Sequence, residues 1–335
     1  MSREVIMKYI DTKRREYDDT TSKLRIVAAG KGHSMSLPPI VDAVLELVDR
    51  RDSNKLPTLV YLGTANYDNI QAFEGQTKGF REKCRIVQLR VSERVAPEEM
   101  PSKDLIQKTI ESADILMVSG GNTLYALNRW KDLGMDTMIR NAVYGDNGHT
   151  PVLCGGSAGA VCWFAQGHSD SMNPTTLLHV DPSLTEQEKT NWEYIKVEGL
   201  KLLPALCVPH HDVTLSNGQP RAQAADQFLL SQYYEQQEDS DIDSDDDEQS
   251  VHSALPPCIG IDEQAALVVA NDMVRVVAAS QNAICHVKHV VEVNCGPCPA
   301  SPCKSISVFD NEFGQKHGSI PLRDLLAGNF SSLPQ

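Results

Sequence analysis

The sequence predicts an α/β fold of three layers, a mostly parallel sheet covered by helices on both faces and carrying a nucleophile elbow at one strand end. Three observations predict it. Short apolar runs with no polar face alternate with segments of helical period, as strands buried on both sides do. Two of these runs end in glycine-rich turns, Ser119-Gly120-Gly121-Asn122 and Gly155-Gly156-Ser157. The second turn sits inside Gly-x-Ser-x-Gly, where a strand stops, the chain bends sharply and one hydroxyl is held above the sheet.

The elements follow in order. Residues 1–23 read as a charged, partly helical extension without an apolar signal core, so secretion is not expected. Leu24 to Gly30 is the first buried strand, and Pro38-Pro39 can open a helix with Ile40, Val41, Val44, Leu45 and Val48 at helical spacing. Thr58 to Gly63 is a second strand, followed by a helix through Phe80, and Arg85 to Val91 is a third. A helix over Ser102 to Ser112 leads into the strand Ala113 to Gly121, and Asn122-Thr123 start the next helix. The elbow strand spans 151–156, and Ala158 to Ala165 reads as its helix. Beyond it, His168 to Ser171 reads as a polar loop, Leu202 to Val208 as a strand ending in Pro209-His210-His211-Asp212, and Arg221 to Tyr234 as a helix. Ile259 to Leu267 resumes the fold, and Met273 to Ala278 with Ala283 to Val293 suggest closing hairpins. The domain boundaries that result are 1–23 extension, 24–293 a single α/β domain, and 294–335 a C-terminal tail.

Composition narrows the function. A chain of 335 residues can bury a sizeable core, and 41% hydrophobic with 23% charged residues is ordinary for a soluble protein. A net charge of −14 argues against a nucleic-acid partner, which needs clustered Lys and Arg. Part of that charge is local: Glu238 to Glu248 holds eight acidic residues and no basic one. The segment 235–253 cannot bury enough apolar surface to offset its ordering entropy and is expected to be a disordered insertion. No stretch is long and apolar enough for a membrane. Nine cysteines, several in apolar runs, fit a reduced, cytoplasmic protein.

Ser157 needs a base, because a serine hydroxyl is a weak nucleophile at neutral pH. His210 and His211 follow an apolar strand and so lie, like Ser157, at a carboxyl end, where ligands bind in open α/β sheets. The third group could be Asp212, Asp262, Glu263 or Asp170; spacing leaves the choice open.

Gly120-Gly121-Asn122-Thr123, Gly156-Ser157-Ala158-Gly159-Ala160, Pro209-His210 and Gly260-Ile261-Asp262-Glu263 occur in the order seen in the peptidase E (aspartyl dipeptidase) family, which the chain resembles over about 24–275. Cyanophycinases share the elbow. The resemblance implies a flavodoxin-like sheet related to class I glutamine amidotransferases, with serine in place of their cysteine. It implies Ser157 as nucleophile, His210 as general base and Glu263 as the carboxylate, with the amides of Gly121 and Ala158 as oxyanion donors. Arg221 matches the arginine that holds a substrate's N-terminal aspartate, and Asp170 lies close to a further functional aspartate. Asn122, in the Gly-Gly-Asn-Thr turn, joins them as a substrate-binding candidate. The activity implied is a serine exopeptidase acting on short peptides, dipeptides with N-terminal Asp preferred, through an acyl-enzyme. No metal or cofactor is expected, and the partners are a small peptide and a second copy of the chain in a homodimer. The bacterial dipeptidases carry a longer Gly-Glu-Thr-Arg-x-Gln-Arg pattern, where this chain has Gln219, Pro220 and Ala224 at three places. His211 stands where an aromatic residue is usual.

Three rivals are distinguishable. An α/β-hydrolase esterase shares Gly-x-Ser-x-Gly but takes its base from a late histidine such as His286, His289 or His317. Cys295-Gly296-Pro297-Cys298 with Cys303 and His286 or His289 could form a zinc module, although structural zinc normally needs two such pairs. A catalytically silent binding protein on the same scaffold would not be labelled at Ser157 by a serine-reactive phosphonate.

Overall fold

The computed structural model describes residues 23–49, 55–145, 149–242, 255–294 and 304–327. Most of the N-terminal extension, residues 243–253 of the acidic insertion, and Cys295, Cys298 and Cys303 lie outside them.

The apolar runs become strands β1 (Arg25–Ala29), β2 (Thr58–Leu62), β3 (Arg85–Leu89), β4 (Ile115–Val118) and β5 (Val152–Gly156). All pair in parallel, in the order β1-β5-β4-β2-β3. Counted from β2, the order is the 2-1-3-4 of a flavodoxin-like sheet, with β1 filling the fifth place. Helices α1 (Pro38–Glu46), α2 (Ile70–Thr77), α3 (Lys103–Glu111), α4 (Thr123–Leu133) and α5 (Met135–Tyr144) supply the crossovers. Alternate residues of one strand serve opposite faces. Val27 and Ala29 pack with Ile40, Val41 and Val44 of α1, whereas Ile26 and Ala28 join the core built with Ile106, Ile110, Trp130 and Ile139. The helix α5 was not anticipated; Gly134, at φ 70°, separates it from α4.

The chain after the elbow differs from expectation. The helix there, α6 (Ala158–Val161), is one turn long, where a run to Ala165 was expected. The Cys162, Trp163 and Phe164 carbonyls instead accept amides of Leu200, Leu202 and Lys201, which draws the chain into strand β6 (Phe164–Ser169). His168 and Ser169 are therefore buried strand residues, not a polar loop. The short helix α7 (Glu186–Thr190), β7 (Ile195–Glu198), β8 (Leu203–Pro209) and α8 (Arg221–Ile242) follow. The helix α8 passes the expected stop at Tyr234, so residues 235–242 of the acidic segment are helical and not disordered. Glu and Gln, which dominate its first part, are good helix formers.

Strands β9 (Cys258–Ile261), β10 (Ala265–Ala270), β11 (Met273–Ala278), β12 (Cys285–Asn294), β13 (Lys304–Phe313) and β14 (Ile320–Pro321), with the terminal helix α9 (Leu322–Leu326), complete two sheets where one was expected. The first has eight strands, with β10, β11 and β14 added antiparallel beside β1. The second has six, in the order β13-β12-β9-β8-β6-β7, and covers one face of the first while α8 covers its far side. The segment set apart as a tail at 294–335 thus belongs to the fold over 304–327: β13 pairs along β12, and Leu322 and Leu325 enter the core.

Candidate active site

The carboxyl ends of β1, β4, β5, β8 and β9 converge on Ser157. The elbow is tight: the first side-chain carbon on Gly156 would lie 2.2 Å from the Lys31 carbonyl oxygen, so only glycine fits. Ser157 adopts φ 58°, ψ −121°, a conformation that non-glycine residues avoid, and its amide is tied to the Ala29 carbonyl at 3.1 Å. His210 also has a positive φ, 56°, and its amide donates to Gly30 at 3.2 Å. Both strained residues are pinned to the end of β1.

Their side chains meet. His210 Nε2 lies 2.8 Å from Ser157 Oγ, and His210 Nδ1 lies 2.8 Å from Glu263 Oε1. Lys31 Nζ donates to the other carboxylate oxygen at 2.8 Å. Glu263 is held down at about 2 by the hydrogen bond to His210, against burial, and then by Lys31. Its amide donates to Asp212 at 2.8 Å, and its carbonyl accepts from Ser34 Oγ at 2.5 Å. Of the four acids left open by the sequence, Glu263 faces the imidazole, Asp212 orients Glu263, and Asp262 points into a separate cluster. Lys31 and Ser34 were not anticipated, although Lys31 follows a strand end and so had the positional signal that singled out His210.

The Gly120-Gly121 turn runs beside the elbow: a side chain on Gly120 would come within 3.5 Å of Ser157 Cβ. Gly121, at φ 134°, would clash with the Ala65 carbonyl if it carried a side chain. The Ala158 amide opens α6.

The remaining candidates lie elsewhere. Asn122 caps α4 by accepting from the Tyr125 amide at 2.9 Å, while its Nδ2 donates to Ser171 O at 2.9 Å and Thr176 Oγ1 at 3.0 Å. Its side-chain amide thereby ties the start of α4 to the Ser171–Thr176 segment. Asp170 is half-buried just after β6, its carbonyl accepting from Asn173, and no hydrogen bond among the described residues joins it to the Ser157 row. Arg221 opens α8 and is 1% exposed. Its amide donates to Val213 O, and the Val213 amide in turn donates to His210 O. The guanidinium stacks on Tyr194 at 4.1 Å and donates through Nη2 to the His168 carbonyl, while Nε and Nη1 have no partner among the described residues. No carboxylate among the described residues pairs with it, and burial with this neighbouring cation pushes His168 down to about 2, so that ring is neutral. A buried guanidinium without an anion is costly unless a ligand supplies one.

Two of the late histidines are engaged away from Ser157: His286 lies between Asp262 and Asp310, and His317 accepts from the Gly314 amide at 2.9 Å. His211, His286 and Asp310 bring ligand atoms within 4.8 Å of one another. The imidazoles of His211 and His286 lie over one another, with ring centroids 4.0 Å apart and planes 34° from parallel. Lys288 Nζ, 3.4 Å from Asp310, already supplies positive charge. Cys154, Cys162, Cys207, Cys258 and Cys285 are free and buried, and burial pushes the Cys258 thiol up to about 12. No helix among the described residues is long and apolar enough to cross a membrane.

The model of peptidase family S51 matches residues 26–277. An uncharacterized peptidase of Bacillus subtilis, YgaJ, is 32% identical over 155 residues, which are 46% of this chain and 62% of that protein. The chain thus spans less than two thirds of that relative. Among solved structures, a peptidase from an acI-B1 actinobacterium is 17% identical with a TM-score of 0.49, over 87% of this chain and 97% of the other. A peptidase E protein from Listeria monocytogenes is 17% identical with a TM-score of 0.45, over 77% and 99%. The family match takes in β1, the elbow, His210 and Glu263 together, and the chain belongs to peptidase family S51.

Proposed function

We propose that the protein is a serine exopeptidase that removes an N-terminal Asp from dipeptides and other short peptides through an acyl-enzyme on Ser157. The observation that carries this is the 2.8 Å contact between Ser157 Oγ and His210 Nε2, with His210 Nδ1 on an ionised Glu263. In this reading His210 takes the hydroxyl proton as Ser157 attacks the carbonyl of the first residue. Glu263 fixes the ring's tautomer and stabilises the imidazolium, and Lys31 keeps Glu263 ionised. The amides of Gly121 and Ala158 receive the oxyanion. His210 then protonates the leaving amine, and water releases Asp by the same route in reverse.

Selectivity is assigned to Arg221. Its unpartnered Nε and Nη1 leave two buried donors, on different edges of the guanidinium, open to an anion. A substrate aspartate would supply the anion that the buried cation lacks.

A panel of Asp-Leu, Glu-Leu, Asn-Leu and Ala-Leu tests the proposal with wild type and Arg221→Ala. The expected result is hydrolysis of Asp-Leu alone at an appreciable rate, with kcat/KM for Asp-Leu falling about 10- to 100-fold in Arg221→Ala. Equal rates across the panel would remove the aspartate selector.

A further inference from the structure

His211 follows His210 and Asp262 precedes Glu263, and both neighbours turn away from Ser157 into a second polar cluster. They are 4% and 5% exposed. Asp262 is locked to the start of β12: its Oδ2 accepts from the Ile284 amide at 3.0 Å, and its own amide donates to Ile284 O at 3.2 Å. Its Oδ1 lies 3.7 Å from His211 Nδ1 and 3.6 Å from His286 Nε2. The other nitrogen of His286 lies 3.2 Å from both oxygens of Asp310 on β13. The cluster therefore joins the residues flanking the reactive pair to β12 and β13. Both strands lie beyond residue 277, where the family match ends.

The charges explain why a histidine stands there. Burial pushes the Asp262 carboxyl up, but the imidazoles of His211 and His286 facing Oδ1 at 3.6–3.7 Å, as charge contacts rather than hydrogen bonds, and the Ile284 amide hold it well below the carboxylate range. Burial pushes His286 down, yet the two carboxylates on either side overcome this and raise it to about 9. Burial lowers His211, which is therefore the neutral partner. The other charged groups around His286 are its register partner Glu312 and, farther along, Lys288 on β12 and Asp226 on α8. Lys288, 2% exposed, is committed to Asp226 at 2.6 Å and Asp310 at 3.4 Å. Protonated His286 is then the cation available to Asp262, and a buried carboxylate that loses its cation is strongly destabilised.

We propose that His286, held between Asp310 and Asp262, is a positioning residue that fixes the strand-end turn presenting Glu263 to His210. This rests on the reading of Ser157, His210 and Glu263 given above. Without the cation, Asp262 no longer holds its place between β9 and β12, and Glu263, one peptide bond away, moves with it. Small misplacements of catalytic groups cost up to ~10²-fold in rate.

The test uses the full chain as wild type, His286→Gln and His286→Lys, with melting curves to confirm folding. A fluorophosphonate probe is reacted between pH 7 and 10, and backbone hydrogen exchange is followed in peptides covering residues 206–213 and 259–265. In wild type, labelling slows as pH rises through about 9, where His286 loses its proton. In His286→Gln, labelling at pH 7 is expected to fall at least several-fold, without that alkaline step, and both peptides exchange faster while those of α1 are unchanged. His286→Lys, which keeps a cation, restores most of the rate. Unchanged exchange in His286→Gln, or a labelling profile superimposable on wild type, overturns the brace. If wild type itself is not labelled, the serine peptidase reading fails, and faster exchange in His286→Gln still upholds the brace.

Discussion

Each polar group of Glu263 has a partner: His210 and Lys31 on its two oxygens, Asp212 on its amide, Ser34 on its carbonyl. A carboxylate held this way orients an imidazole without thermal search. Lys31 is itself 44% exposed in its side chain, so solvent screens part of its effect. Replacing it with methionine is expected to raise the Glu263 carboxyl from about 2 and slow fluorophosphonate labelling about 2- to 5-fold at neutral pH, with the melting temperature little changed. A labelling rate equal to wild type would reduce Lys31 to a surface pair. At this scale, Ser157 and His210 were legible because each lies at a strand's carboxyl end, whereas Glu263 was one of four open acids and was singled out only by the resemblance to peptidase E. His286 and Asp310 were not, since their meeting depends on the register of β12 with both β9 and β13.

Elements were legible to the degree that burial marks them. Strand β2 is buried at all five positions and reads as one apolar run. Edge strands lack that mark: β7 alternates exposed and buried residues, and Ser307, Phe309 and Asp310 of β13 face solvent. The helix α5 had a readable pattern in Met135, Met138, Ile139, Ala142 and Val143, yet no helix was expected between the one opening at Asn122-Thr123 and the elbow strand. The premature end of α6 is a tertiary effect, set by Leu200, Lys201 and Leu202 claiming the carbonyls that a longer helix would need. The second sheet was missed with these edges, because β6 reads in the sequence as helix and polar loop, and without β6, β7 and β13 only β8, β9 and β12 remain to suggest it.

Across the whole molecule, the two polar clusters set opposite limits on stability with pH. Glu263 is lowered from 4.5 to about 2, so its contribution is complete above 4.5 and disappears as pH falls toward 2, on the order of 3 kcal/mol. His286 is raised from 6.5 to about 9, so its contribution is complete below 6.5 and is lost as pH rises through 9. Denaturant unfolding of the full chain is therefore expected to show a plateau between roughly pH 5 and 6.5, with stability declining on both sides. In His286→Gln the alkaline decline should flatten, and the acid decline should become shallower, because Asp262 and Asp310 lose the cation that holds their carboxyls down. An alkaline slope identical in the two proteins would mean that other groups govern it.

The central claim is that a hydroxyl on a strained turn is activated by an imidazole arriving from a distant strand end, and intact-mass analysis after fluorophosphonate treatment tests it most directly. Wild type should gain one adduct, mapped to the peptide containing Ser157, and His210→Ala should react at least 100-fold more slowly, ~3 kcal/mol in barrier height. An unmodified wild-type protein, or His210→Ala labelled at the wild-type rate, would contradict the account.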